Sequence, residues 1–159
     1  MQKSYPHIVT PPPGPKGRAI IAQDRAYSST SHIKEYPLVV ERGEGPMIED
    51  VDGNRYLDYI AGIAVASTGH AHPRVVAAIQ AAAEKFLHIC ATDFFYPPFA
   101  ELCERLAKLG PGSDPKRVFL TNSGTEAVEG AIKLARSHTK RSNIIAFEGA
   151  FHGRTMGAI

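Results

Sequence analysis

Thr121-Asn122-Ser123-Gly124-Thr125-Glu126-Ala127-Val128-Glu129 joins a short apolar run, Val118-Phe119-Leu120, to an amphipathic segment through small hydroxylated residues. Such a junction suits the capture of a phosphate. Val128, Ala131, Ile132 and Ala135 recur at the i, i+3, i+4, i+7 spacing of one helix face. Ser123 with Glu126 three residues on is a capping-box pattern, so the helix starts within the loop. Its first-turn amides are unpaired and lie at the positive end of the helix dipole, while Gly124 lets an anion approach the backbone. An ordinary capped helix start uses the same residues, and on these letters alone that alternative stays open. Two familiar phosphate loops are absent: there is no G-x-x-x-x-G-K-[ST], and no G-x-G-x-x-G between strand and helix. Lys133 lies beyond the first helical turn.

A second constellation follows. Asn143-Ile144-Ile145-Ala146-Phe147 has the character of a buried strand, and Glu148-Gly149-Ala150-Phe151-His152-Gly153-Arg154-Thr155 comes directly after it. Strand, helix and strand predict a right-handed crossover with adjacent parallel strands, whose trailing loops gather at one sheet edge. An aromatic ring, an imidazole and a guanidinium beside a phosphate cradle suit a flat, phosphorylated aromatic cofactor with a carboxylate-bearing substrate above it. Each residue also has a plainer reading. Phe151 alone is a core aromatic closing a strand end, and Arg154 alone is a surface arginine, although its planar five-donor fork matches a carboxylate bidentately. His152 either flanks a ring or satisfies a backbone carbonyl. Ile63 alone is a core residue.

These residues stand in a wider set: Asp50-Val51-Asp52-Gly53-Asn54-Arg55-Tyr56-Leu57-Asp58-Tyr59, Gly62-Ile63-Ala64-Val65, Thr68-Gly69-His70-Ala71-His72-Pro73, Thr121 to Glu129, and Ala150 to Thr155. Across them the chain resembles the class III, omega-amino-acid aminotransferases, in particular the branch acting on 4-aminobutyrate. The resemblance implies an α/β fold, the N-terminal part of a fold-type I pyridoxal 5'-phosphate-dependent transferase. A small α+β N-terminal segment would precede the start of a large-domain mixed, mostly parallel sheet. It further implies that Ser123, Gly124 and Thr125 bind the cofactor phosphate, that Phe151 stacks on the pyridine ring with His152 nearby, and that Arg154 grips the substrate carboxylate. Ile63 would supply an apolar wall near the reacting amine.

The implied activity moves the amino group of an omega-amino acid, 4-aminobutyrate foremost, to 2-oxoglutarate. Ornithine and acetylornithine aminotransferases and amino-acid racemases share these motifs and remain alternatives. A non-catalytic anion-binding module is an alternative of another class. Transamination needs a Schiff-base lysine, and none of Lys116, Lys133 or Lys140 matches it. The expectation is therefore an N-terminal fragment of an enzyme more than twice as long, with no catalytic residue before Ile159 and no activity alone.

The elements that position these residues are legible in outline. Residues 1–17 read as a Pro-rich extended arm, because the prolines of Thr10-Pro11-Pro12-Pro13-Gly14-Pro15 fix φ and bar a helix; an SH3-type ligand is the lesser alternative. Residues 18–66 read as the N-terminal segment of a small domain, with a helix over 18–27, a strand from Leu38 to Arg42, and a hairpin turning at Asp52-Gly53. Residues 67–159 read as the incomplete start of a cofactor-binding domain. In it a helix from Pro73 to Leu87 buries Val76, Ile79, Ala83 and Phe86, and another from Pro97 or Pro98 to Leu109 buries Phe99, Leu102, Cys103 and Leu106. Between them Phe94, Phe95 and Tyr96 are too apolar to face water, and the resemblance sets that segment against a second subunit, giving a homodimer.

Composition narrows the partners. With 43% hydrophobic residues, 21% charged residues and a net charge of +2, the chain has globular character and no basic stripe for nucleic acid. Cys90 and Cys103 fit reduced cytoplasmic thiols rather than a disulfide framework, and His70-x-His72 lacks a third zinc ligand at metal spacing. Neither a secretory signal nor a membrane-length apolar run is present, so the expected location is the cytoplasm.

Overall fold

The computed structural model describes residues 5–113 and 115–159. The chain forms two compact units, one reaching His88 and one from Ile89 to Ile159. The first four residues of the expected arm lie outside the described residues.

The first unit is built on a three-stranded antiparallel sheet ordered β1 (Val40–Glu44), β2 (Met47–Asp50), β3 (Arg55–Leu57). The β2–β3 hairpin turns at Asp52-Gly53 as expected, with Gly53 at φ +88°. Register places Arg42, Glu49 and Arg55 side by side on the three strands. The Glu49 carboxylate accepts hydrogen bonds from Arg42 at 2.8 Å and Arg55 at 2.7 Å, and the Arg42 bond, followed by the Arg55 bond, holds its pKa below the usual glutamate range. Opposite charges on facing strand residues stabilise the pairing modestly.

The hairpin turn also anchors the chain before it. Asn54 is fully buried, and its Oδ1 accepts from the Val9 and Thr10 amides at 2.7 and 2.9 Å. Its own amide and Nδ2 donate to the Asp50 carboxylate at 2.8 Å each, which also receives the Tyr56 hydroxyl at 3.1 Å. A buried carboxylate and amide persist because nearly every polar atom has a partner. His7 and Arg55 exchange two backbone hydrogen bonds of 2.9 Å, which tie the described part of the arm to β3.

Helix α1 spans Pro15–Tyr27, three residues earlier than the sequence predicts; Pro15, expected in the extended stretch, is helical. Proline costs no hydrogen bond at the first helical position. Gly14 at the N-cap offers no side chain, and Asp52 of the hairpin turn takes its place by accepting from Lys16 at 3.0 Å and Gly17 at 2.9 Å. A Cβ on Gly14 would stand 2.3 Å from the Asp52 Cγ, so only glycine admits this external cap. Two further helices complete the unit, a short turn α2 (Ala61–Ala64) and α3 (Pro73–Ala83). The latter ends before the expected Leu87.

The second unit holds α4 (Pro97–Leu109) and α5 (Gly124–Thr139), both with the starts the sequence predicts. The flanking strands are a correction. Neither 118–120 nor 143–147 is a strand, and the expected pairing of the two as adjacent parallel strands is not made. A parallel ladder needs a neighbour at strand spacing, and none stands beside either segment among the described residues. Phe119, Ile145 and Phe147 are exposed accordingly.

Burial is the second correction. Among the described residues no hydrophobic side chain is buried: Val76, Ile79, Phe86, Leu102 and Leu106 are exposed, Ala83 likewise, and Phe99 and Cys103 are only half-buried. Amphipathic spacing specifies an apolar face but not the surface that covers it. The accessible surface is 13857 Å², against about 7,800 Å² for a folded monomer of this mass. None of the described helices is long and apolar enough to cross a membrane.

Candidate cofactor and substrate site

The start of α5 has the geometry of an anion cradle. Ser123, extended at φ −152° and ψ 160°, is the N-cap, and its Oγ accepts from the Glu126 amide at 3.2 Å. Glu126 reaches back to the Asn122 amide at 2.7 Å, one residue before the position a simple capping box uses. The Gly124 and Thr125 amides follow, at helix positions where no intrahelical acceptor exists, and a Cβ added at Gly124 would meet nothing within 4 Å. Open space, two first-turn amides, the Thr125 hydroxyl and the helix dipole converge there. Together they fit the phosphate of a pyridoxal-type cofactor.

The loop carrying Phe151, His152 and Arg154 belongs to the same unit and rests on α5. At Gly153, with φ +129°, a Cβ would stand 2.2 Å from the Thr125 Oγ1. Further along, the Thr155 hydroxyl donates to the Glu129 Oε1 at 2.5 Å and the Gly157 amide to the same oxygen at 3.0 Å. A Cβ at Gly157 would be 2.7 Å from that oxygen. Two glycines four apart in the loop thus meet two polar side chains four apart, one helical turn, on α5. The Thr155 bond first, and the Gly157 amide second, hold the Glu129 carboxyl below the usual glutamate range.

The Phe151 ring is exposed, and the Arg154 guanidinium lies over it with Cζ 5.9 Å from the ring centroid, within cation–π range. His152 is exposed as well. The residues 123–125, 151, 152 and 154 are therefore gathered on α5 and the loop seated against it. This gathering does not require the expected pairing of 118–120 with 143–147.

Ile63 belongs to the other unit. Its side chain is 88% exposed, against the plain core reading, and its backbone is unusual. Ala61, Gly62, Ile63 and Ala64 all have positive φ, at 49°, 64°, 60° and 63°, so α2 is a left-handed turn that costs L-residues roughly 1–2 kcal/mol each. Asp58 pins its entry. Its Oδ1 accepts from the Ile60 and Ala61 amides at 2.9 Å each, and its Oδ2 lies 2.6 Å from the His70 Nε2. The Ala61 amide, then His70, hold the Asp58 carboxyl below its usual range.

Glu129, Thr155, Gly157, Asp58 and His70 make contacts that were not among the expectations from sequence. The matched four-residue spacings of Gly153 with Gly157 and of Thr125 with Glu129 are the signal that marks the first three. For Asp58 and His70 no local spacing marks the contact, which closes across 12 residues.

Comparison with known proteins shows the family. Residues 28–159 match the family model described as aminotransferase class-III. The chain is 50% identical over 121 residues to 5-aminovalerate aminotransferase of Pseudomonas aeruginosa and 48% identical over 120 residues to 4-aminobutyrate aminotransferase of Escherichia coli, in each case 76% of this chain and 28% of the relative. To alanine/serine racemase of Pyrococcus horikoshii it is 42% identical over 155 residues, 97% of this chain and 32% of that protein. It superposes on the ornithine aminotransferase of Toxoplasma gondii, a structure described with partial occupancy of pyridoxal phosphate at its active site, with a TM-score of 0.74 at 34% identity over 89% of this chain and 34% of that one. The chain thus spans about a third or less of the length of these relatives. A family match over most of the chain, high identity along it and the shared fold-type I architecture lead to one conclusion: the chain belongs to the class III aminotransferases.

Proposed function

We propose that the protein carrying this chain is a pyridoxal 5'-phosphate-dependent aminotransferase that takes the amino group of an omega-amino acid, 4-aminobutyrate foremost, and passes it to 2-oxoglutarate. The observation that carries this reading is the seating of the Phe151–Arg154 loop on the same helix whose start forms the anion cradle. When bound, the cofactor supplies the electron-withdrawing ring through which the amino group is exchanged.

The chain's own residues bind and orient. The amides of Gly124 and Thr125, with the Ser123 and Thr125 hydroxyls, hold the phosphate as the cap of α5. Phe151 offers its face to the ring, a stack worth about 0.5–1.5 kcal/mol beyond the area it covers, and His152 flanks it. Arg154 takes the carboxylate at the far end of the donor, which sets the distance between that carboxylate and the reacting amine and so selects donor length. Ile63 forms an apolar wall near the amine. In this reading the protein is a homodimer, with the exposed Phe94 and Phe95 at the subunit contact.

A second reading, an amino-acid racemase, is favoured by the reach of the racemase match over 97% of the chain, including the Pro-rich opening. A donor panel on the full-length protein with 2-oxoglutarate, combined with chiral analysis of recovered amino acid, separates the two. Consumption of 4-aminobutyrate supports the first reading, and inversion of an α-amino acid without net amine transfer supports the second. Arg154→Lys should raise KM for 4-aminobutyrate by about 10- to 100-fold, the worth of a charge-assisted bidentate contact, with the bound-cofactor spectrum intact. An unchanged KM removes Arg154 from the substrate site.

A further inference from the structure

Resting on the site reading above, we propose that Glu129 is a positioning residue for substrate recognition: by holding Thr155 and Gly157 it fixes where the Arg154 guanidinium stands relative to the phosphate cradle. The loop is gripped on both sides of Arg154. Before it, Gly153 lies against the Thr125 hydroxyl on the first turn of α5. After it, the Thr155 hydroxyl and the Gly157 amide both donate to one Glu129 oxygen, at 2.5 and 3.0 Å. Thr125 and Glu129 are four residues apart, about 6 Å along one helix face. The anchor for the cofactor phosphate and the anchor for the carboxylate grip are therefore one rigid body.

A carboxylate suits this post because an ionised oxygen accepts two donors at once and more strongly than a neutral one. The hydrogen bonds from Thr155 and Gly157 keep it ionised. Without the clasp, the segment after Arg154 would lose its two hydrogen bonds to α5, in a loop with positive φ at Gly149 and Gly153. Misplacement of a substrate grip by an ångström costs binding and rate although the grip itself is intact.

The test is a double-mutant cycle in the full-length holoenzyme, with 4-aminobutyrate as the varied donor and cofactor affinity followed by absorbance. Glu129→Ala should raise KM for 4-aminobutyrate about tenfold, leave cofactor affinity within about twofold, and be largely rescued in Glu129→Gln, which retains an acceptor oxygen. In an Arg154→Lys background the Glu129→Ala effect should vanish, since both act through one contact. Thr155→Val, which removes a single hydroxyl, should reproduce the effect if Glu129→Ala fails to fold. Additive effects of Glu129→Ala and Arg154→Lys would overturn the inference, as would a Glu129→Ala loss expressed mainly in cofactor affinity. If Arg154→Lys alone leaves KM unchanged, or the wild-type enzyme does not use 4-aminobutyrate, the site reading fails and this inference falls with it.

Discussion

At Gly153 two constraints meet, a backbone φ of +129° and a Thr125 Oγ1 standing 2.2 Å from where a Cβ would be. Either alone disfavours a side chain, and together they force the loop off α5. Gly153→Ala should therefore lower the affinity of the full-length protein for pyridoxal 5'-phosphate by about tenfold or more, measured by absorbance titration, because Phe151 moves with the loop. Unchanged affinity would mean that the loop does not support the cofactor. Residue types and local spacing make part of this scale legible: the Ser123 cap is marked by its residue type and by Glu126 three residues on, and a guanidinium fork is a property of Arg154 itself. What stayed hidden were the contacts that close over distance. The Glu129 clasp joins residues 26 and 28 positions apart, and no helical period spans that separation.

At the scale of elements, helix starts were the most legible feature. Pro97 and Ser123 sit where proline and an N-cap serine belong, and α4 and α5 begin there. The start of α1 was missed because its cap comes from Asp52, 35 and 36 residues away. The left-handed α2 turn was missed because Ala61, Ile63 and Ala64 carry no preference for positive φ; glycine occurs only at position 62. Strain of this kind persists where function holds it. Ile63→Gly should relieve about 1 kcal/mol of it, raising thermal stability of the full-length protein while raising KM for 4-aminobutyrate if Ile63 walls the substrate. A rise in stability without a kinetic cost would remove Ile63 from the site.

The hairpin clasp gives a pH prediction at the same scale. Burial pushes the Asp50 carboxyl up, but the Asn54 side-chain and backbone bonds, with Tyr56 and the Asp52 amide, outweigh it and hold it below the usual aspartate range. Its folded-state pKa thus lies below the unfolded value, so its contribution is present above about pH 4 and is lost as the pH falls through the folded pKa. Acidification below about pH 4 should release residues 7–10 from the hairpin, read as faster amide exchange at Val9 and Thr10. Protection at Val9 and Thr10 that stays unchanged until the chain unfolds as a whole would contradict the role of Asp50.

For the whole molecule, a family match across residues 28–159 and the absence of any buried hydrophobic side chain among the described residues belong together. The apolar faces of α3 and α4 and the segments around Phe119 and Ile145 have the patterning of interior surface. Their covers were not legible, because periodicity reports which face is apolar and never what lies against it. The 159-residue chain alone should bind the dye ANS and unfold over a broad transition, both signs of uncovered apolar surface. A sharp two-state transition without dye binding would contradict that account. The central claim is that the start of α5 clasps a phosphate while the loop seated on that helix faces the attached ring and the substrate carboxylate. A crystal structure of the full-length protein with pyridoxal 5'-phosphate tests it most directly. The account predicts phosphate oxygens at about 2.7–3.2 Å from the Gly124 and Thr125 amides with the pyridine ring against Phe151, and a phosphate bound away from the start of α5 would contradict it.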